Sequence, residues 1–78
     1  MGMSIGRCNF YGNKPSSGTS IGGMMVYHNG TLRHTMTSGG TEIYEVDGGD
    51  VWVVYSRWDQ VSRYEFRGGN VQTCTDNI

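Results

Sequence analysis

No apolar run in this sequence comes near the roughly 18 residues that a membrane-spanning helix needs, and no charged segment followed by an apolar stretch opens it. The expectation is a cytoplasmic chain with no membrane span and no signal peptide. Proline is almost missing, with a single residue, and neither Cys-x-x-Cys nor His-x-His spacing connects the two cysteines and two histidines. A structural zinc therefore has no ligand set to hold it. Cys8 and Cys74 lie near opposite ends, and in a cytoplasmic protein such a pair reads as two small buried hydrophobes with reduced thiols. Charge is scarce as well. Seven acids and six bases are scattered along the chain for a net charge of -1, which makes no long-range field toward a nucleic-acid backbone or an anionic membrane.

Catalytic signatures are equally thin. No nucleophile elbow is present, and the paired glycines do not lead into a helix, as a phosphate-cradling loop requires. Glu42, Glu45, Asp47 and Asp50 cluster around one turn, where a solvated surface is their expected home. Asp47 faces Asp50 in that reading, but the ligand spacing of a calcium loop is absent. His28 and His34 flank another turn and point to opposite faces in its register, so they do not share a metal. The expectation is no enzyme, no cofactor and no metal.

What the chain does have is glycine, with 13 residues, and nine aromatic side chains. Tight turns joining short strands give this composition, whereas glycine in a helix interior costs about 1 kcal/mol. At 78 residues one core is the limit. An internal repeat organises it: Met25 to Leu32, Tyr44 to Val51 and Tyr64 to Val71 share an apolar, any, apolar, polar lead into a two-residue turn ending in Gly. Asn29-Gly30, Gly48-Gly49 and Gly68-Gly69 are each read as the tight turn of a β-hairpin. Gly39-Gly40 and the segment Trp58 to Gln60 connect one hairpin to the next.

The fold class that follows is all-β: a small antiparallel meander of six to seven strands built from three β-hairpins and curled into a barrel or small sandwich. Residues 1-23 supply an amino-terminal strand around Arg7 to Tyr11 and a flexible Ser/Gly loop, and residues 24-75 supply the repeat, in one domain over 1-78. Continuing the register collects Met25, Tyr27, Leu32, Met36, Ile43, Trp52, Val54, Tyr64, Phe66 and Val71 on one core face. Trp52 is then buried and Trp58, at a polar turn, exposed.

The opposite face is polar on the outer hairpins but carries Tyr44, Val46, Val51, Val53 and Tyr55 on the central one. Five apolar side chains need a cover: the amino-terminal strand, a second copy, or a target. Tyr, Trp and Arg anchor interfaces, which marks Tyr44, Tyr55, Val53, Arg57, Trp58 and Arg63 as candidate contact residues. Aromatic and basic residues also interleave from Tyr55 to Arg67, as in sheets that stack single-stranded nucleic acid, but Asp59 and Glu65 offset the arginines. The leading reading is a non-catalytic small binding module acting through protein-protein contact. Its size suits an inhibitor of a host (defence) protein complex, of the kind a phage or other mobile element encodes. The alternatives are a small-ligand or single-stranded nucleic-acid binder using the barrel mouth, and a self-associating structural subunit such as a homodimer.

Overall fold

Every strand of this chain has to satisfy the two-sided apolar run Asp50 to Tyr55, and the fold does so by placing that run between a second sheet and a covering cluster. The computed structural model describes Cys8 and residues 14–75, so the expected strand at Arg7 to Tyr11 lies, Cys8 apart, outside the described residues. Seven strands occur there: β1 (Ser17–Ile21), β2 (Met24–His28), β3 (Arg33–Met36), β4 (Glu42–Glu45), β5 (Asp50–Tyr55), β6 (Tyr64–Arg67) and β7 (Asn70–Thr75), with one helical turn, α1 (Trp58–Val61), before β6. They form two sheets, one ordered β1-β2-β5-β7 and one ordered β3-β4-β6. The all-β class and the strand number match expectation. The topology does not, because neither sheet closes into a barrel and the meander is partly parallel.

The three glycine turns taken for hairpins are corners that carry the chain from one sheet to the other. Strands β2 and β3, β4 and β5, and β6 and β7 flank them, and each pair is split between the sheets. Strand β4 runs parallel to β6 from Glu42↔Tyr64, and β5 runs parallel to β7 from Asp50↔Asn70. The sequence repeat is therefore real, but its second and third copies stack side by side as bent strands. An offset of 20 residues links β5 to β7 and one of 22 links β4 to β6. The longer corner at residues 46–49 absorbs the difference. Backbone bonds from Val46 N to Arg67 O and from Asn70 N to Gly49 O stitch the stacked corners together. Close approach demands glycine there: a Cβ on Gly69 would lie 2.7 Å from Gly49 N. Asp47 and Asp50 consequently sit along a corner and do not face each other.

Two hairpins do exist among the described residues, and one of them falls in the expected flexible loop. Gly22 and Gly23 have φ of 57 and 82, both positive as a primed turn requires, and they join β1 to β2 with Ile21 opposite Met24. Pairing with β2 orders a Ser/Gly segment of poor strand propensity. The other hairpin, β3 to β4, turns through Thr37 to Thr41 and sets Met36 opposite Glu42, where a two-residue turn at Gly39-Gly40 would set it opposite Ile43. A slip of one residue flips every side chain, so Tyr44 packs against the inter-sheet cluster and Ile43, buried at 7%, lies on the other face of its sheet.

The core therefore differs from the expected face: on β2 and β5 the opposite side chains fill the space between the sheets, while Leu32, Tyr64 and Phe66 pack there as expected. Ile21, Met24, Val26, Val46, Val51, Val53, Tyr55 and Val61 are buried between the sheets, with Leu32, Tyr44, Tyr64 and Phe66 packed against them. Fully burying a Val or Ile side chain contributes about 1.5–3 kcal/mol, and this cluster contains most of the buried side chains. The run that needed a cover is thus internal. Met25, Tyr27, Trp52 and Val54 form a second cluster on the outer side of the four-stranded sheet, with Cys8 and Cys74. Met36 is exposed. Cys8 and Cys74 are joined by a disulfide with Cα atoms 5.4 Å apart, inside the usual window for that bond. The reduced reading is corrected: Cys74 shares a face with Val54, where the amino-terminal Cys8 packs. No helix among the described residues is long and apolar enough to cross a membrane.

Candidate binding surface around Trp58

Strand β5 ends at Tyr55, and the chain must pass from the four-stranded sheet to β6 in the other. Val61, at the end of α1, is buried in the inter-sheet core, which leaves the start of the same turn outside. Trp58 stands there, 64% exposed, with its ring edge-on to Tyr55 at a centroid distance of 5.9 Å. One side chain fixes this turn. Gln60 Oε1 accepts from Ser56 N at 3.1 Å, Ser56 Oγ at 3.0 Å and Arg57 N at 3.1 Å. Gln60 in turn abuts the β1-β2 hairpin, since a Cβ on Gly23 would lie 2.8 Å from its Nε2. Trp58 is thus an exposed aromatic on a braced support.

Charge around it is mixed. Arg57 Nε lies 3.3 Å from Asp59 Oδ1, with both side chains largely in water, a pair worth no more than about 1 kcal/mol. Arg63 is exposed just beyond the turn. Tyr55, Arg57, Trp58 and Arg63 thus all lie on or beside the connection from β5 to β6, Tyr55 mostly as the buried support. Trp52 is buried at 3%, as the sequence predicts. Val53 is 0% exposed, so it belongs to the core and touches no partner. Tyr44 lies in the other sheet, half-buried, in a column with His34 at 4.6 Å and Phe66 at 5.9 Å. Burial first, then Glu42 and Tyr64, raises its phenol above the ordinary value. Gln60 was not among the sequence candidates. Its position three residues after Arg57, at a strand exit, is the signal that marks a capping glutamine.

An open groove of about 670 Å³ lies away from Trp58, at the stacked corners between Arg33, Glu45, Asp47, Phe66, Arg67 and Val71. Its cations are already engaged. Arg33 is hydrogen-bonded to Asp47 and lies 3.8 Å from Glu45, and Arg67 is bonded to Glu65. Those carboxylates raise both guanidinium pKa values, the hydrogen bonds contributing most. The groove has little unpaired charge to offer an ionic ligand. His28 is buried with Nε2 2.9 Å from Thr19 Oγ1, and His34 Nε2 lies 3.1 Å from Glu42. Among the described residues no three His, Cys, Asp or Glu side chains converge on a common point.

Comparison with family models, curated proteins and solved structures finds no match for this chain.

Proposed function

We propose that the chain is a non-catalytic binding module that engages a protein partner through Trp58, with Arg57 and Arg63 at the rim. The observation that carries this reading is the exposed Trp58 on a turn fixed by three hydrogen bonds to one glutamine oxygen. An exposed tryptophan in water is an unfavourable place for the residue type that most often anchors interfaces, and a rigid support lowers the ordering cost of binding. Arg63 and the loosely held Arg57 can reach carboxylates around a central apolar contact. An inhibitor of a host defence complex is one such module, and its small neutral surface suits that role.

The test is capture from a native lysate by immobilised wild-type chain and by Trp58→Ala. Surface substitutions usually change stability by no more than about 0.5 kcal/mol, so the variant is expected to melt close to wild type. Loss of a specifically retained protein by a folded Trp58→Ala supports the reading. Equal retention by both chains removes Trp58 from the site.

A further inference from the structure

We infer that the Cys8–Cys74 bond is a redox-sensitive latch, opened by a small thiol that attacks Cys74 and releases Cys8 from the outer face of the four-stranded sheet. The observation behind it is where the bond lies. All seven described strands fall within Ser17 to Thr75, and the cluster between the sheets is made without Cys8. Cys8 belongs to the outer cluster with Tyr27, Trp52 and Val54, against which Met25 and Cys74 also pack. Every other described residue of that cluster sits on a strand. Cys8 alone among them comes from ahead of β1, and the bond ties it there across a sequence separation of 66.

The two cysteines are unequally accessible. Cys8 is 1% exposed, whereas Cys74 on β7 is only half-buried. Thiol-disulfide exchange begins with a thiolate bonding to one of the two sulfurs, and access helps decide which. Cys74 is the one that solvent reaches. The incoming sulfur bonds to Cys74 Sγ, the bond between the two Sγ atoms breaks, and its electron pair leaves on Cys8 as a thiolate that takes a proton from water. One disulfide is exchanged for another, so this step consumes no separate oxidant or reductant. A second molecule of the small thiol then reduces the mixed disulfide, leaving Cys74 as a free thiol and the small thiol as its own disulfide.

Release alters one face of the molecule. Tyr27, Trp52 and Val54, packed with Cys8, are 9%, 3% and 0% exposed, and without it they and Met25 form an apolar patch of the kind folded chains rarely leave bare. The ladders of this sheet pair only residues from Ser17 onward. The sheets therefore stay paired when Cys8 lifts, and the opening is local rather than global. One contact works against it: Cys8 Sγ lies 3.6 Å from Thr75 O, an acceptor that a released thiol could keep.

The experiment treats the full oxidised chain with reduced glutathione well below its melting transition, followed by acid quenching, alkylation and peptide mass spectrometry. The expected result is glutathione on Cys74 and the alkyl label on Cys8, with an unchanged far-ultraviolet circular dichroism spectrum. In a Trp58→Phe background the Trp52 fluorescence should become quenchable by iodide at the same time, and removal of free glutathione should restore its shielding as Cys8 expels the adduct. Glutathione on Cys8 overturns the inference. So does exchange that occurs only with loss of the spectrum, which makes the bond a staple of the whole fold. A Trp52 that stays shielded once Cys74 carries glutathione overturns it too, because Cys8 has then kept its seat. Cys8→Ser reads the open form directly: it should keep the spectrum and match the treated chain in quenching, and a variant that cannot fold counts against the latch.

Discussion

Gly69 shows how one residue can be fixed by its neighbours rather than by its own torsion angles. Its φ is not positive, unlike that of Gly48 and Gly49, so local conformation alone would tolerate a side chain. What excludes one is the stacked corner: backbone of Gly49 stands 2.7 Å from where a Cβ would be, and backbone cannot swing aside. Gly39 is the contrast, with only Thr37 Oγ1 at 3.8 Å. Gly69→Ala is expected to cost at least about 2 kcal/mol through strain or loss of the corner bonds. Gly39→Ala should be neutral or stabilise by up to about 1 kcal/mol through the unfolded chain. Thermal melts of the two variants check the pair, and equal effects would mean the corners do not stack.

At the scale of elements, β5 is the strand whose composition gave the strongest warning. Its apolar residues alternate onto both faces, and such a strand belongs between two covers. Both faces of β5 are buried, Val51, Val53 and Tyr55 between the sheets and Trp52 and Val54 in the second cluster, whereas a single meander register places only the second set in the core. The grouping of Tyr44, Val46, Val51, Val53 and Tyr55 holds across the corner, whereas the slip at β3-β4 and the parallel pairing of β6 with β4, which sets Phe66 beside Tyr44, change which residues join each face. Val53, fully buried against both β2 and β7, tests the corrected core. Val53→Ala is expected to destabilise by about 2 kcal/mol, whereas Met36→Ala, at a 58% exposed site, should stay within about 0.5 kcal/mol. Chemical denaturation of the two variants measures the difference, and similar midpoints would return Met36 to the core and Val53 to the surface.

For the molecule as a whole, the disulfide ties Cys8 to β7 across a sequence separation of 66. Closing so long a loop restricts the unfolded chain and is worth about 4 kcal/mol in the chain-entropy account. That is a large share of the stability that a domain of this size has. Addition of a dithiol, or Cys8→Ser with Cys74→Ser, should therefore lower the melting temperature strongly and make Trp52 accessible to a quencher, because Cys8 packs in the same cluster as Trp52. An unchanged melt under reductant would show that the bond adds nothing to the fold. Disulfides persist in oxidising surroundings, whereas the expectation of reduced thiols followed from a cytoplasmic location.

The sequence by itself determined the all-β class, the direction changes after Met24, the repeat, and the opposite fates of Trp52 and Trp58, since turn chemistry and apolar patterning are local properties, whereas β1 and its turn at Gly22-Gly23 needed β2 as a partner. Tertiary structure alone decided what each turn does. A Gly pair can close a hairpin or turn a corner between sheets with nearly the same residues, and Gly22-Gly23 does the first while Gly48-Gly49 does the second. The choice depends on which neighbours can bury both faces of β5. It also depends on a register that a single residue can invert, and on a cysteine 66 positions away. None of these is encoded within the reach of one turn.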